Sequence, residues 1–204
     1  MKPIRRTVRR FGTIAALACF IAVVHPGHID AQATDLVAQG RQVLAADKVD
    51  EALAIFEKAV TTDPQNPASL AWLGSAQVRK ARTVPPFEGA GWVKRGFNTL
   101  DEAVERFPNA FIAYMVRGIT ATQVPDLFKK APVAVKDLSA VVAMREKNAK
   151  AVPDAVMPSV YLNLGLAYKK NGQPAEARAA WEKGKQLYPS APETPTIEKE
   201  LRSL

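Results

Sequence analysis

Four stretches of the chain repeat one order of large, small and polar positions: Leu36-x-x-Gln39-Gly40-x-x-Val43, Leu70-x-x-Leu73-Gly74, Tyr114-x-x-Arg117-Gly118 and Tyr161-x-x-Leu164-Gly165-x-x-Tyr168. Residues three, four and seven apart share one face of a helix. Each stretch therefore predicts a helix that places a glycine beside its large apolar residues. A second pattern follows: Ala52-x3-Phe56 then Pro64, Gly96-x3-Leu100 then Pro108, and Ala177-x3-Trp181 then Pro189. In all three the proline lies eight residues after the large residue, where it ends a helix and sets a turn. The chain thus reads as helix pairs. The glycine admits close approach of the two rods, the small residue of the second helix lets it come near, and Phe56 or Trp181 fills the space that remains. Units of this size cannot bury their apolar faces alone, so they must stack.

The middle of the chain breaks the period. Gly40 to Ala52 and Gly165 to Ala177 are both twelve residues, whereas Gly74 to Gly96 is twenty-two. The ten added residues fall around Thr83-Val84-Pro85-Pro86-Phe87-Glu88-Gly89-Ala90-Gly91-Trp92, a run whose prolines and glycines predict a loop and not regular helix. Further on, Val124 to Phe128 predicts a turn into a short helical segment. Pro132 then starts a helix to about Lys150, with Val135, Leu138 and Val142 on its apolar face. At the end, Thr194 is placed to cap and Pro195 to open a closing helix with Ile197, Leu201 and Leu204 on one side.

These motifs resemble the tetratricopeptide repeat, whose pattern is aromatic-x2-Leu-Gly-x2-Tyr, Ala-x3-Phe and Pro over about 34 residues. Pro158 to Ala191 matches through Tyr161, Leu164, Gly165, Tyr168, Gly172, Ala177, Trp181 and Pro189, and Ala33 to Asn66 matches well. The resemblance implies an all-α, right-handed superhelical solenoid of about four helix pairs. Its repeats run over about 33–66, 67–109, 110–154 and 158–191, with a capping helix at 195–204. It also implies a concave groove lined by the first helices, here Val37, Arg41, Leu44, Ala71, Ser75, Val78, Ile112, Met115, Ile119, Leu162, Leu166 and Lys169. Members that clamp a terminal carboxylate use Lys, Asn and Arg at places held here by Val37, Arg41, Trp72, Ile112 and Val116, so that clamp is not expected. A mainly apolar groove suits an amphipathic helix or an extended segment of a protein partner.

The first residues follow different rules. Lys2, Arg5, Arg6, Arg9 and Arg10 precede the apolar run Phe11 to Val24, and Ala31-Gln32-Ala33 has the small-x-small form that signal peptidase reads. Basic, apolar, small is the order of a secretory signal. Residues 1–33 are accordingly expected to be a signal peptide, leaving 34–204 as the repeat domain in the periplasm or outside the cell. An uncleaved inner-membrane anchor at residues 11–24 is the alternative. The apolar run is shorter than the roughly 20 residues of a spanning helix. Ala-Leu-Ala-Cys19 loosely resembles a lipoprotein acceptor, with Ala16 where Leu is usual, and Arg5-Arg6-Thr7-Val8 matches a twin-Arg signal poorly.

Charge and chemistry change once this leader is set aside. It holds five of the 28 basic and one of the 20 acidic side chains, so 23 face 19 in the remainder. The sequence pI near 9.7 is then weak support for nucleic-acid binding. Cys19, His25 and His28 all lie in the leader, so the rest has no Ser-His or Cys-His nucleophile and no ordinary zinc or copper ligand set. The expectation is a binding protein with no cofactor, no metal and no catalysis.

Other clusters read as structural. The carboxylates Asp50-Glu51, Asp101-Glu102-Glu105, Glu176-Glu182 and Glu198-Glu200 sit near helix starts or on solvent faces. Arg79, Lys80, Arg82, Lys94 and Arg95 flank the insertion beside Phe87, Trp92 and Phe97. They read as a solvated rim around aromatics packed inward. Gly89-Ala90-Gly91 lacks the rest of a phosphate-binding loop. Two functions stay open: an exported adaptor that holds a protein segment in its groove, and a receptor for a small apolar or acidic ligand under Pro85 to Trp92.

Overall fold

The computed structural model describes residues 26–204, with side chains from residue 31 onward. Among them are nine α-helices: α1 (Pro26–Ala45), α2 (Val49–Thr62), α3 (Pro67–Lys80), α4 (Pro86–Arg106), α5 (Phe111–Gln123), α6 (Ala131–Lys147), α7 (Met157–Lys170), α8 (Pro174–Leu187) and α9 (Thr194–Arg202). Two single 3₁₀ turns, Asp126–Phe128 and Asp154–Val156, lie before α6 and α7. Pro67, Pro86, Pro132, Pro158, Pro174 and Pro195 all fall in first turns, where the missing N–H has no helical partner to lose. Asn66 adds a cap, its Oδ1 accepting from the N–H of Ala68 at 2.9 Å and of Ser69 at 3.4 Å.

Short connections fold consecutive helices against each other as α1/α2, α3/α4, α5/α6 and α7/α8, and the first helices of neighbouring pairs also touch. This is a stack of four pairs closed by α9. Leu138, Met157, Val160 and Leu100 are buried in the main core. The glycines set how near the rods come. A Cβ on Gly40 would lie 2.5 Å from Phe56 Cε1, one on Gly74 2.8 Å from Leu100 Cγ, and one on Gly118 2.8 Å from Leu138 Cγ. At Gly165 a Cβ would collide with the indole of Trp181. Phe56 also reaches the next pair, stacking on Trp72 with ring centroids 6.4 Å apart.

Several local expectations are corrected. The Pro-Gly run is not a loop, since residues 86–92 are the first two turns of α4. Pro85 and Pro86 lie at the helix start, where proline is tolerated. Gly89 is buried and lets α4 lean on the end of α3, where a Cβ would sit 3.1 Å from the Ala81 carbonyl. Helix α6 ends at Lys147, not near Lys150, and its buried face is Ala134, Asp137, Leu138 and Val141, with Val135 and Val142 only half-buried. Thr194 does not cap, because its hydroxyl donates to the Tyr188 carbonyl at 2.8 Å. Leu204 lies beyond the end of α9. The leader's basic and apolar parts, with Cys19 and His25, lie outside the described residues; residues 26–33 belong to α1, and Ala33 is buried.

Candidate functional site

A half-open concavity of about 1040 Å³ lies between α1, α3 and α5, toward their C-terminal ends. Its side wall is made by the two departures from the repeat period. The start of α4 supplies Pro86, Gly89, Ala90 and Val93, and the 3₁₀ turn after α5 supplies Leu127 and Phe128. Six of the twelve residues expected in the groove line it: Arg41, Leu44, Ser75, Val78, Met115 and Ile119.

The other six lie elsewhere. Val37 is buried with Leu36 and Ala59, and Ala71 is buried in the main core, against which Ile112 packs half-buried. Leu162 and Leu166 pack against Ala177, Trp181 and Ile197, so α9 contributes to their cover. Lys169 Nζ donates to Glu200 Oε2 and Ser203 Oγ, both at 2.9 Å. The fourth pair's share of the groove is therefore engaged by the cap. The expected groove left out Thr120, Gln123 and the wall residues, while Trp72, named only as a place of the absent clamp, lines the concavity as well. The signal for the wall was the ten-residue excess itself, whose position in space the spacing did not give.

Arginine supplies the charge of the lining: Arg41, Arg79 and Arg82, with no Asp, Glu or Lys among the other described residues that line it. Arg79 is engaged, its Nη1 donating to the Leu44 carbonyl at 2.9 Å and its Nε lying 3.7 Å from Asp47 Oδ1. The Arg41 guanidinium lies over the Trp72 ring, 5.0 Å from its centroid. Around these, Trp72, Val78, Val93, Met115 and Ile119 make an apolar surface.

The carboxylate clusters work as ties between or along helices. Asp50 pairs with Lys80 at 2.6 Å, Glu102 with Arg106 at 2.8 Å, Glu198 with Lys185 at 2.7 Å and Glu200 with Lys169 at 2.9 Å. Lys185 holds the Glu198 carboxyl below its usual range. The aromatics of the insertion divide: Phe97 is buried, Trp92 is half-buried under Arg95, and Phe87 is 83% exposed. That last placement corrects the expectation of an inward ring.

A polar cluster the sequence did not announce joins α4, α5 and α6. Arg117 donates through Nε and Nη2 to both oxygens of Asp137, at 2.7 and 2.8 Å, and through Nη1 to Asp101 at 2.8 Å. Asp137 has no exposed surface, and burial raises its carboxyl above the ordinary value against the pull of Arg117. One guanidinium occupies both carboxylates, so they are not poised as an acid and base pair. No group of three or more His, Cys, Asp or Glu that could hold a metal converges among the described residues. No described helix is long and apolar enough to cross a membrane.

Comparison with known proteins agrees with this geometry. Residues 158–191 match the tetratricopeptide-repeat family model. A crystal structure of TTC0263, a thermophilic TPR protein in Thermus thermophilus, superposes with a TM-score of 0.50 at 19% identity, over 84% of this chain and 100% of that one. The fold is a tetratricopeptide-type solenoid. A MamA RS-1 double mutant gives 0.52 at 23% identity, covering 83% of this chain and 81% of its own. Identities this low speak for the tetratricopeptide architecture alone. The sequence matches no curated protein.

Proposed function

We propose that this chain is an exported tetratricopeptide-repeat adaptor that holds a segment of a protein partner against its concave face and carries out no chemistry. The supporting observation is the concavity itself, open, mainly apolar and bounded by the first helices of three pairs. A helical stack of this kind is suited to scaffolding, and each large side chain a partner buries there contributes about 1.5–3 kcal/mol before ordering costs. The basic, apolar, small order of residues 1–33 supports export, and mass analysis of the mature N-terminus tests it, with Thr34 expected first.

The test of the groove uses Ile119, half-buried on the lining, and Ala90, exposed on the wall. Ile119→Asp and Ala90→Asp should each abolish crosslinking to the partner in intact envelopes while helical content stays unchanged. If both variants crosslink like the native chain, the concave face is not the docking surface.

A second reading follows from the wall. It turns part of the groove into a pocket, and the reading is a receptor for a small apolar or acidic ligand. A ligand that binds only the folded state raises its stability, so a thermal-shift screen separates the two.

A further inference from the structure

We propose that the walled concavity binds a molecule with one long apolar chain and one anionic head, of the alkyl carboxylate class. This rests on the second reading above and names its ligand.

Both insertions contribute to one wall. The regular pairs need twelve residues between glycine and alanine; in the extra turns of α4 and the 3₁₀ turn at Asp126–Phe128, Trp92 and Phe128 pack half-buried against the core. What the two insertions add besides is lining: Pro86, Gly89 and Ala90 from one, Leu127 and Phe128 from the other. A segment lying along a groove does not need a side wall to bury one of its faces. A small ligand does, because pockets for such ligands cover most of the ligand's surface and typically enclose about 300–1,000 Å³. The volume here, about 1040 Å³, lies just above that range, as suits a pocket open on one side.

The lining then selects the chemistry. Its apolar part suits an alkyl chain, and Leu127, 74% exposed on the wall, with Phe87, 83% exposed beside Pro86, extends that character outward. Its charge is of one sign. Arg79 is held by Leu44 and Asp47, but Arg41 rests on Trp72 and Arg82 is exposed, and neither has a carboxylate within ion-pair distance among the described residues. Two guanidinium groups over a lining without carboxylates attract an anion and repel a cation. A cationic amphiphile is excluded on that ground, and a neutral one leaves both arginines without an anionic partner.

The experiment uses the full chain with dodecanoate, dodecanol and dodecyltrimethylammonium, each below its micellar range, followed by calorimetry and thermal shift. Dodecanoate should bind one to one, at least about tenfold tighter than dodecanol, the difference one charge-assisted contact supplies. The cation should not bind. Ala90→Trp, which fills the pocket from an exposed helix position, should weaken dodecanoate at least about tenfold at unchanged helical content. Arg41→Gln with Arg82→Gln should lower the acid to the affinity of the alcohol and leave the alcohol alone. Equal binding of acid and alcohol to the native chain overturns the carboxylate assignment while the pocket stands. Binding of none of the three, or binding that Ala90→Trp leaves unchanged, overturns the pocket reading with it. A stabilising effect confined to a peptide segment does the same and returns the face to the adaptor reading.

Discussion

The outer helix pairs and the inner ones solve the same packing problem with different means. In α1/α2 and α7/α8 a single glycine receives a single aromatic ring, Gly40 with Phe56 and Gly165 with Trp181. In α3/α4 and α5/α6 the residue opposite the glycine is leucine, Leu100 or Leu138. Polar ties accompany it there: Thr99 with Gln77 at 2.7 Å, Thr120 with Ser75 at 3.0 Å, and the Arg117–Asp137–Asp101 cluster. The regular pairs are held mainly by shape, with the Trp181 indole also donating to the Leu162 carbonyl. The irregular pairs add charge and hydrogen bonding, and they alone carry the wall of the concavity. Departure from the period is thus where this fold departs from bare architecture.

The comparison breaks first at Trp181. Its side chain is wholly buried and its Nε1 donates to the Leu162 carbonyl at 3.0 Å. Trp181→Ala should cost about 3–5 kcal/mol from lost burial and the cavity left behind, seen as a lower urea midpoint. Leu100→Ala should cost less, within about 2–5 kcal/mol. A larger loss at Leu100 would mean that the inner pairs depend on shape as much as the outer ones. Hydrogen exchange adds a second check: in a stack coupled mainly between neighbours, Trp181→Ala should loosen α7 to α9 before α1 and α2.

The inner pairs break at Arg117. Arg117→Met strands a buried carboxylate and should cost about 3–5 kcal/mol at neutral pH. The pH dependence has a fixed sign. Burial already holds the Asp137 carboxyl above its unfolded value, and loss of the guanidinium raises it further. A carboxyl so placed binds its proton more tightly in the folded state, so stability falls as pH rises above the unfolded value and through the folded one. The deficit of the variant should therefore shrink as pH drops toward about 4. Pairing Arg117→Met with Asp137→Leu should recover most of the loss, since an apolar pair needs no compensation. If the single variant loses nothing, the cluster is not what ties the inner pairs.

The recurring glycines, the large residues four positions past the small ones and the closing prolines sufficed for the pairs and the all-helical stack, and Pro195 with Ile197 and Leu201 for the closing helix. They failed where a residue's meaning depends on what stands opposite. Pro85, Pro86 and Gly89 suggest a loop when counted, but at a helix start the prolines lose no hydrogen bond and the glycine admits Ala81. Asp137 looks like one more solvated acid until Arg117, twenty positions earlier, is set against it. A signal for that helix was present, because Ala134-x3-Leu138 repeats the small-then-large spacing and both residues are buried. All twelve groove positions came from the first helices through the family resemblance; six line the concavity, and the others meet the core, α9 or its end, neighbours that spacing does not give. The wall was not legible, because spacing gives the length of an insertion and not the side on which it lands.

The finest test compares two turns inside the outer pairs. Asp47 and Gly172 each follow the glycine of the repeat pattern by seven residues, and both take positive φ, 58° and 74°. The turns share one hydrogen bond, Lys48 N–H to the Val43 carbonyl at 3.2 Å and Gln173 N–H to the Tyr168 carbonyl at 2.9 Å, the bond that closes a helix through a left-handed residue. Glycine takes that conformation freely, whereas a Cβ there costs about 1–2 kcal/mol, less for aspartate. Gly172→Ala should therefore lose about 1–2 kcal/mol. Asp47→Gly should gain about 0.5 kcal/mol, because relief of the backbone outweighs an exposed contact with Arg79 that contributes at most about 1. Both appear as shifts in urea midpoint at constant slope. Should Asp47→Gly lower the midpoint instead, the Arg79 contact outweighs the strain, and the first turn is held from outside where the last is held by its glycine.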